Sequence, residues 1–149
     1  MQTSAQLSHE FVEFIPEILC DGVVYVSIPY STAAHKCFCG CGTKVVTPIS
    51  PTDWSLGFNG ESISLDPSIG NWSLPCQSHY WIDRGRIVWA ARWSEQRISR
   101  ARERDRAAKQ DYYAEKERDQ PKQLDVDRPI RRTMWNRLLG VLDRDSELD

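Results

Sequence analysis

No run of apolar side chains in this 149-residue chain approaches the roughly 20 residues needed to cross a bilayer, so no membrane-spanning helix is expected. The first 30 residues hold no Lys or Arg, only Glu10, Glu13, Glu17 and Asp21 as charges. A secretory leader needs a basic segment, so none is expected and a cytoplasmic location follows. No two cysteines stand in the Cys-x-x-Cys spacing of thiol oxidoreductases, which argues against redox chemistry. Five cysteines cannot all pair, and in a reducing compartment clustered thiols are more often metal ligands than disulfides. Gly and Pro are missing from Arg92 to Arg118, which leaves that stretch without a turn former.

What is present divides near residue 91. Residues 1–90 carry 4 Lys or Arg against 8 Asp or Glu, whereas residues 91–132 carry 13 against 9. The second stretch is rich in Arg, Glu, Lys and Ala, all good helix formers. Its apolar positions (Trp93, Ile98, Ala101, Ala108, Tyr112) are too sparse for a broad core face. A solvated helix over 92–120, docked mainly at its start, is expected, with a linker over 121–132. A short amphipathic tail helix is expected over 133–149, where Met134, Trp135, Leu138, Leu139 and Leu142 recur at helical spacing. The nine interleaved acids would repel a phosphate backbone, so nucleic acid is not an expected partner.

Residues 1–91 read as short strands and turns. FVEF (11–14), VVYVSI (23–28) and KVVTPI (44–49) are β-branched or aromatic runs. Asn59-Gly60, between WSLGF and ESISL, is a strong hairpin signal because both residues tolerate positive φ. Asp83-Arg84-Gly85 marks another, between HYWI and RIVWA. The expected fold class is α+β: a small antiparallel β-rich zinc-binding domain followed by a long charged helix.

The chemistry concentrates in two motifs, HKCFCGCG (35–42) and PCQSH (75–79). Thiolate and imidazole are preferred zinc ligands, and a structural zinc takes four. Six candidates are available: His35, Cys37, Cys39, Cys41, Cys76 and His79. The expected cage is Cys37, Cys39, Cys41 and Cys76, with His79 in place of one of the first three as the alternative. Lone Cys20, after two apolar residues, reads as buried packing. Between the motifs, DPSIGNW places Ser68 just before Gly70, in what reads as a tight turn with free backbone N–H groups. With His35 or His79 as base, Ser68 would have the parts of a nucleophile pair. A cysteine nucleophile such as Cys39 and a metal-dependent hydrolase are the other chemistries these residues allow.

The motifs HKCFCGCG, PSIGNW (67–72) and PCQSHYWI (75–82) resemble those of BubE, a family of short bacterial proteins. Its members are encoded beside a ubiquitin-like protein and its activating-like and conjugating-like enzymes. The resemblance covers roughly residues 10–90. It implies a serine-type, deubiquitinase-like peptidase that cleaves after the C-terminus of the ubiquitin-like protein, in precursor maturation or deconjugation. That protein and its activating and conjugating enzymes would be the partners. The matching region holds Ser50, Ser55, Ser68, Ser73 and Ser78, of which Ser68 is the expected nucleophile and Ser78 the next. Asn59 stands where the family leads one to expect an aspartate that could orient a catalytic histidine. The alternative is a non-catalytic zinc-binding adaptor for the same conjugation system.

Overall fold

The computed structural model describes residues 6–119; the expected linker and tail helix lie outside the described residues. The first of two four-stranded sheets runs β1 (Ser8–Phe11), β2 (Val23–Ser27), β3 (Thr32–Lys36) and β4 (Lys44–Pro48), in that spatial order. The second runs β5 (Ser55–Phe58), β6 (Ile63–Gly70), β7 (His79–Asp83) and β8 (Arg86–Trp89). A single helix, α1 (Glu95–Asp119), follows. The fold is therefore α+β with two antiparallel-rich sheets.

Alternation along the strands builds one core between the sheets. Val24, Val26, Ala33 and Val45 of the first meet Ile63, Leu65, Ile69, Tyr80, Ile82 and Ile87 of the second. Each fully buried aliphatic side chain of this kind contributes about 1.5–3 kcal/mol relative to exposure. The same parity turns His79 and Trp81 to the outer face of the second sheet, since Tyr80 and Ile82 point inward. The hairpins at Asn59-Gly60 and Arg84-Gly85 form as the sequence suggests, with Gly60 and Gly85 at positive φ.

Two local readings are corrected, and one strand goes unread in the sequence. The first strand is Ser8–Phe11 and pairs in parallel with β2, while residues 12–19 cross the sheet's outer face. There Val12, Ile15 and Leu19 pack on Tyr25 and Ala34. Leu19 takes the buried position on this crossover, and Cys20 beside it is exposed, not packed. β3 was not legible because its TAAHK sequence lacks the β-branched richness of a strand. As a strand covered on both faces, it uses Ala33 and Ala34, both fully buried, to let the two layers approach.

Ser94 caps α1, its Oγ accepting from the Arg97 N–H. Most of the helix is exposed; Ile98 is buried and Ala101, Lys109 and Tyr112 are half-buried. These positions, with Asp105 between them, fall three and four residues apart on one stripe. Arg102 Nη2 donates to Ser73 Oγ at 3.0 Å, and the Lys109 ammonium pairs with the Asp53 carboxylate, so the stripe lies over the outer face of the second sheet. No helix among the described residues is long and apolar enough to cross a membrane.

Candidate active site

Ser68 and His79 meet on that outer face. Gly70 pairs with His79 across the β6–β7 ladder, and Ile69 with Tyr80. Leu65 pairs with Ile82, so four steps along β6 match two along β7, and the surplus lies in Asp66-Pro67-Ser68. The irregularity brings the Ser68 Oγ to 2.9 Å from His79 Nε2. His79 Nδ1 lies 3.0 Å from the main-chain oxygen of Ala91. A carbonyl can only accept, so Nδ1 carries a proton and Nε2 of the neutral ring is free to accept from the Ser68 hydroxyl. Ser68 lies within β6, not in a turn, which corrects the expectation of a turn there.

Aromatic rings hold the imidazole in place. Trp72, Trp81 and Trp93 surround it with ring centroids 4.8, 5.6 and 5.0 Å away, and Trp72 stacks on Trp93 at 5.5 Å. The Trp72 indole occupies the space a side chain at position 70 would need. A Cβ built on Gly70 would lie 2.3 Å from Trp72 Nε1. His79 is consequently only 4 % exposed although it points away from the main core.

The four expected thiol ligands converge at one end of the molecule. Cys37, Cys39 and Cys41 sit on the β3–β4 turn, where Gly40 and Gly42 have φ of 88° and 75° and the Cys37 N–H bonds to the Thr43 carbonyl. Cys76 comes from the β6–β7 loop of the other sheet. All four sulfurs lie within 4.8 Å of one another, with Cys37–Cys76 at 3.9 Å, Cys41–Cys76 at 3.8 Å and Cys37–Cys39 at 3.3 Å. Tetrahedral bonds of about 2.3 Å to zinc would separate sulfurs by about 3.8 Å, so the set fits such an ion. Desolvation and the neighbouring Cys37 thiol push Cys39 up to about 12, while hydrogen bonding with Thr43 brings Cys41 down to about 6. Thiols this close titrate as a group.

A polar network lies between this cluster and the strands that carry the Ser–His pair. Asn71, next to Gly70, donates from Nδ2 to Ser78 Oγ at 2.8 Å and to Tyr80 Oη at 3.3 Å, with Cys37 Sγ at 3.7 Å. Ser78, the second candidate nucleophile, is buried at the thiol cluster, 3.1 Å from Cys37 Sγ. His35 is also placed here and not at Ser68. Its Nε2 lies 2.9 Å from Tyr80 Oη, its ring stacks on Phe38, and burial lowers its pKa to about 4. Tyr80 is pushed well above the ordinary phenol range, first by burial, so it keeps its proton.

The remaining serines have other partners. Ser50 donates to Asp53 at 2.6 Å, Ser55 to the Asp66 carbonyl at 3.3 Å, and Ser73 accepts from Arg102. Asn59 accepts from the Glu61 and Ser62 N–H groups and serves its own turn. The sequence alone ties none of Ala91, Trp93, Asp53 and Lys109 to the site, although they complete the surroundings of Ser68 and His79. The stripe at 98, 101, 105, 109 and 112 was the available signal, and charged residues on it hid it.

Residues 11–90 match the family model of BubE, described as a bacterial ubiquitination-like system serine protease. No curated protein and no solved structure matches the chain.

Proposed function

The chain belongs to the BubE family of bacterial ubiquitination-like system serine proteases, and on that premise we propose that it is a serine peptidase acting through Ser68 and His79. The observation that carries this reading is the 2.9 Å contact of Ser68 Oγ with an imidazole whose other nitrogen is already committed to Ala91. The scissile bond in this proposal is the amide at the C-terminal carbonyl of a ubiquitin-like protein, in a precursor or a conjugate. That protein and its activating and conjugating enzymes are the partners, and the cytoplasm is the place of action.

In the proposed step, His79 Nε2 takes the Ser68 hydroxyl proton as Oγ attacks the scissile carbonyl carbon. The Nδ1–H bond to Ala91 keeps the ring in the accepting tautomer. Antiparallel alternation helps to place the oxyanion donor. The Asn71 N–H bonds to the Ser78 carbonyl beside the Gly70–His79 pair, so the Gly70 N–H turns away from β7, on the side where the β5 partners stop at Asp66. We assign that N–H to the developing oxyanion. The carbon–nitrogen bond then breaks, His79 returns the proton to the leaving amine, and water hydrolyses the Ser68 ester to free the carboxylate.

The four thiolates of Cys37, Cys39, Cys41 and Cys76 would hold a structural zinc. Four protein ligands leave no open coordination position, which argues against a metal-dependent hydrolase. The ion's contribution when bound is to tie the β3–β4 turn to the β6–β7 loop. Cys76 precedes His79 by three residues, so the tie supports the position of the base.

A second reading has an observation in its favour. A carbonyl stabilises an imidazolium less than a carboxylate does, and His79 is oriented by a carbonyl. The alternative is a non-catalytic zinc-binding adaptor of the same system. Incubation with the cognate ubiquitin-like protein carrying a C-terminal extension separates the two by mass spectrometry. Cleavage at the junction supports the peptidase; binding of the intact fusion, with no product at high enzyme concentration, supports the adaptor.

A further inference from the structure

The cleft above Ser68 is closed by residues beyond the family match. It has a volume of about 360 Å³; Ser68, Gly70 and His79 form its floor, and Thr52 to Trp54 one side. The facing wall is α1, through Ile98, Ala101, Arg102, Asp105 and Lys109. The helix is held there by polar tethers. Lys109 reaches the Asp53 carboxylate on the opposite side of the cleft, and Arg102 reaches Ser73. Asp53 is well prepared as a receiver, since its side chain is 18 % exposed and also accepts from Ser50 at 2.6 Å. Lys109 and then Ser50 hold its carboxyl below the usual range.

Such a wall discriminates by shape. A folded surface loop brings two chain segments at least about 4.8 Å apart to the enzyme, and a helix on one side of the nucleophile obstructs the second. A single extended tail needs no such room. We infer that α1 is the specificity-determining wall of this site, latched by Lys109 to Asp53, and that it admits an extended, unpaired peptide chain to Ser68 while excluding folded surfaces.

This rests on Ser68 being the nucleophile, and the test keeps the two apart. The full-length protein is reacted with a small fluorophosphonate, which forms an Oγ–phosphorus bond and releases fluoride. It is also reacted with the same warhead held by a short linker on a folded carrier protein. The wild type should label with the carrier-borne probe at least about tenfold more slowly than with the small one. A half-exposed ion pair contributes up to about 1 kcal/mol, so Lys109→Ala should narrow that ratio by about three- to fivefold, while Lys109→Arg retains it. Raising NaCl to about 0.5 M should narrow the wild-type ratio and leave that of Lys109→Ala unchanged, because salt screens the latch. An unchanged ratio in Lys109→Ala, with normal labelling by the small probe, overturns the latch and leaves the serine reading intact. No labelling of Ser68 by the small probe overturns both.

Discussion

Ser68 and His79 are eleven residues apart in the chain and 2.9 Å apart at their side chains, on strands that share a ladder with Gly70 opposite His79. The pair is a property of the ladder: the β6 irregularity sets the serine and the inward packing of Tyr80 sets the parity of the histidine. A change at Ser68 should therefore separate chemistry from folding.

Ser68→Ala and His79→Ala should each lower kcat/KM for the extended ubiquitin-like substrate by about 10³-fold or more. Ser68→Ala should leave the thermal midpoint within a few degrees of wild type, because Ser68 lies outside the core. A wild-type cleavage rate in Ser68→Ala would falsify the assignment.

Gly70→Ala places a methyl group 2.3 Å from Trp72 Nε1, so the indole must move away from His79. Overpacking of this kind costs about 1–3 kcal/mol, and kcat should fall more than stability alone explains. Adding Trp72→Ala should relieve the clash without restoring activity, since the indole also positions His79. Chemical denaturation and single-turnover cleavage of the three proteins decide this.

One metal equivalent per chain is expected by elemental analysis of the purified protein, held by four thiolates. Cys76→Ser should reduce that content and lower the thermal midpoint, because Cys76 is the only member of the four supplied by the β6–β7 loop. Retention of a full equivalent of zinc in this variant would overturn the ligand set.

Acid stability should depend on His35. Its pKa is lowered by burial to about 4, against about 6.5 in an unfolded chain, so between these values the unfolded state binds more protons. The neutral ring's contribution is complete above about pH 6.5 and is lost as pH falls towards 4, by roughly 3 kcal/mol. His35→Gln should remove that portion of the slope. Comparing unfolding free energies of the two proteins across this window isolates the imidazole from acid effects on the thiolates; parallel curves would rule the imidazole out.

The hairpins and three of the four clustered thiols could be read from the chain because each depends on near neighbours. Asn59-Gly60 and Arg84-Gly85 carry their turn conformations in a few residues, and Cys37, Cys39 and Cys41 share one glycine-bent turn. β3 could not be read, since Ala33 and Ala34 are strand residues only because layers cover both faces. The docking of α1 was equally hidden. Lys109 is an ordinary solvent-facing residue until Asp53, 56 positions earlier, stands opposite it.

The two histidines divide along the same line. From the sequence, His35 and His79 were equivalent partners for Ser68, both close to cysteines and both near glycine or serine. Strand parity separated them. His35 points between the sheets, where it meets Tyr80 and loses its charge to burial; His79, one residue before Tyr80, points the other way and meets Ser68. Local spacing determined that thiols, a serine and histidines would be available. Which of them touch was decided by the pairing of β6 with β7 and the packing of two sheets, because side-chain direction reverses with every residue along a strand.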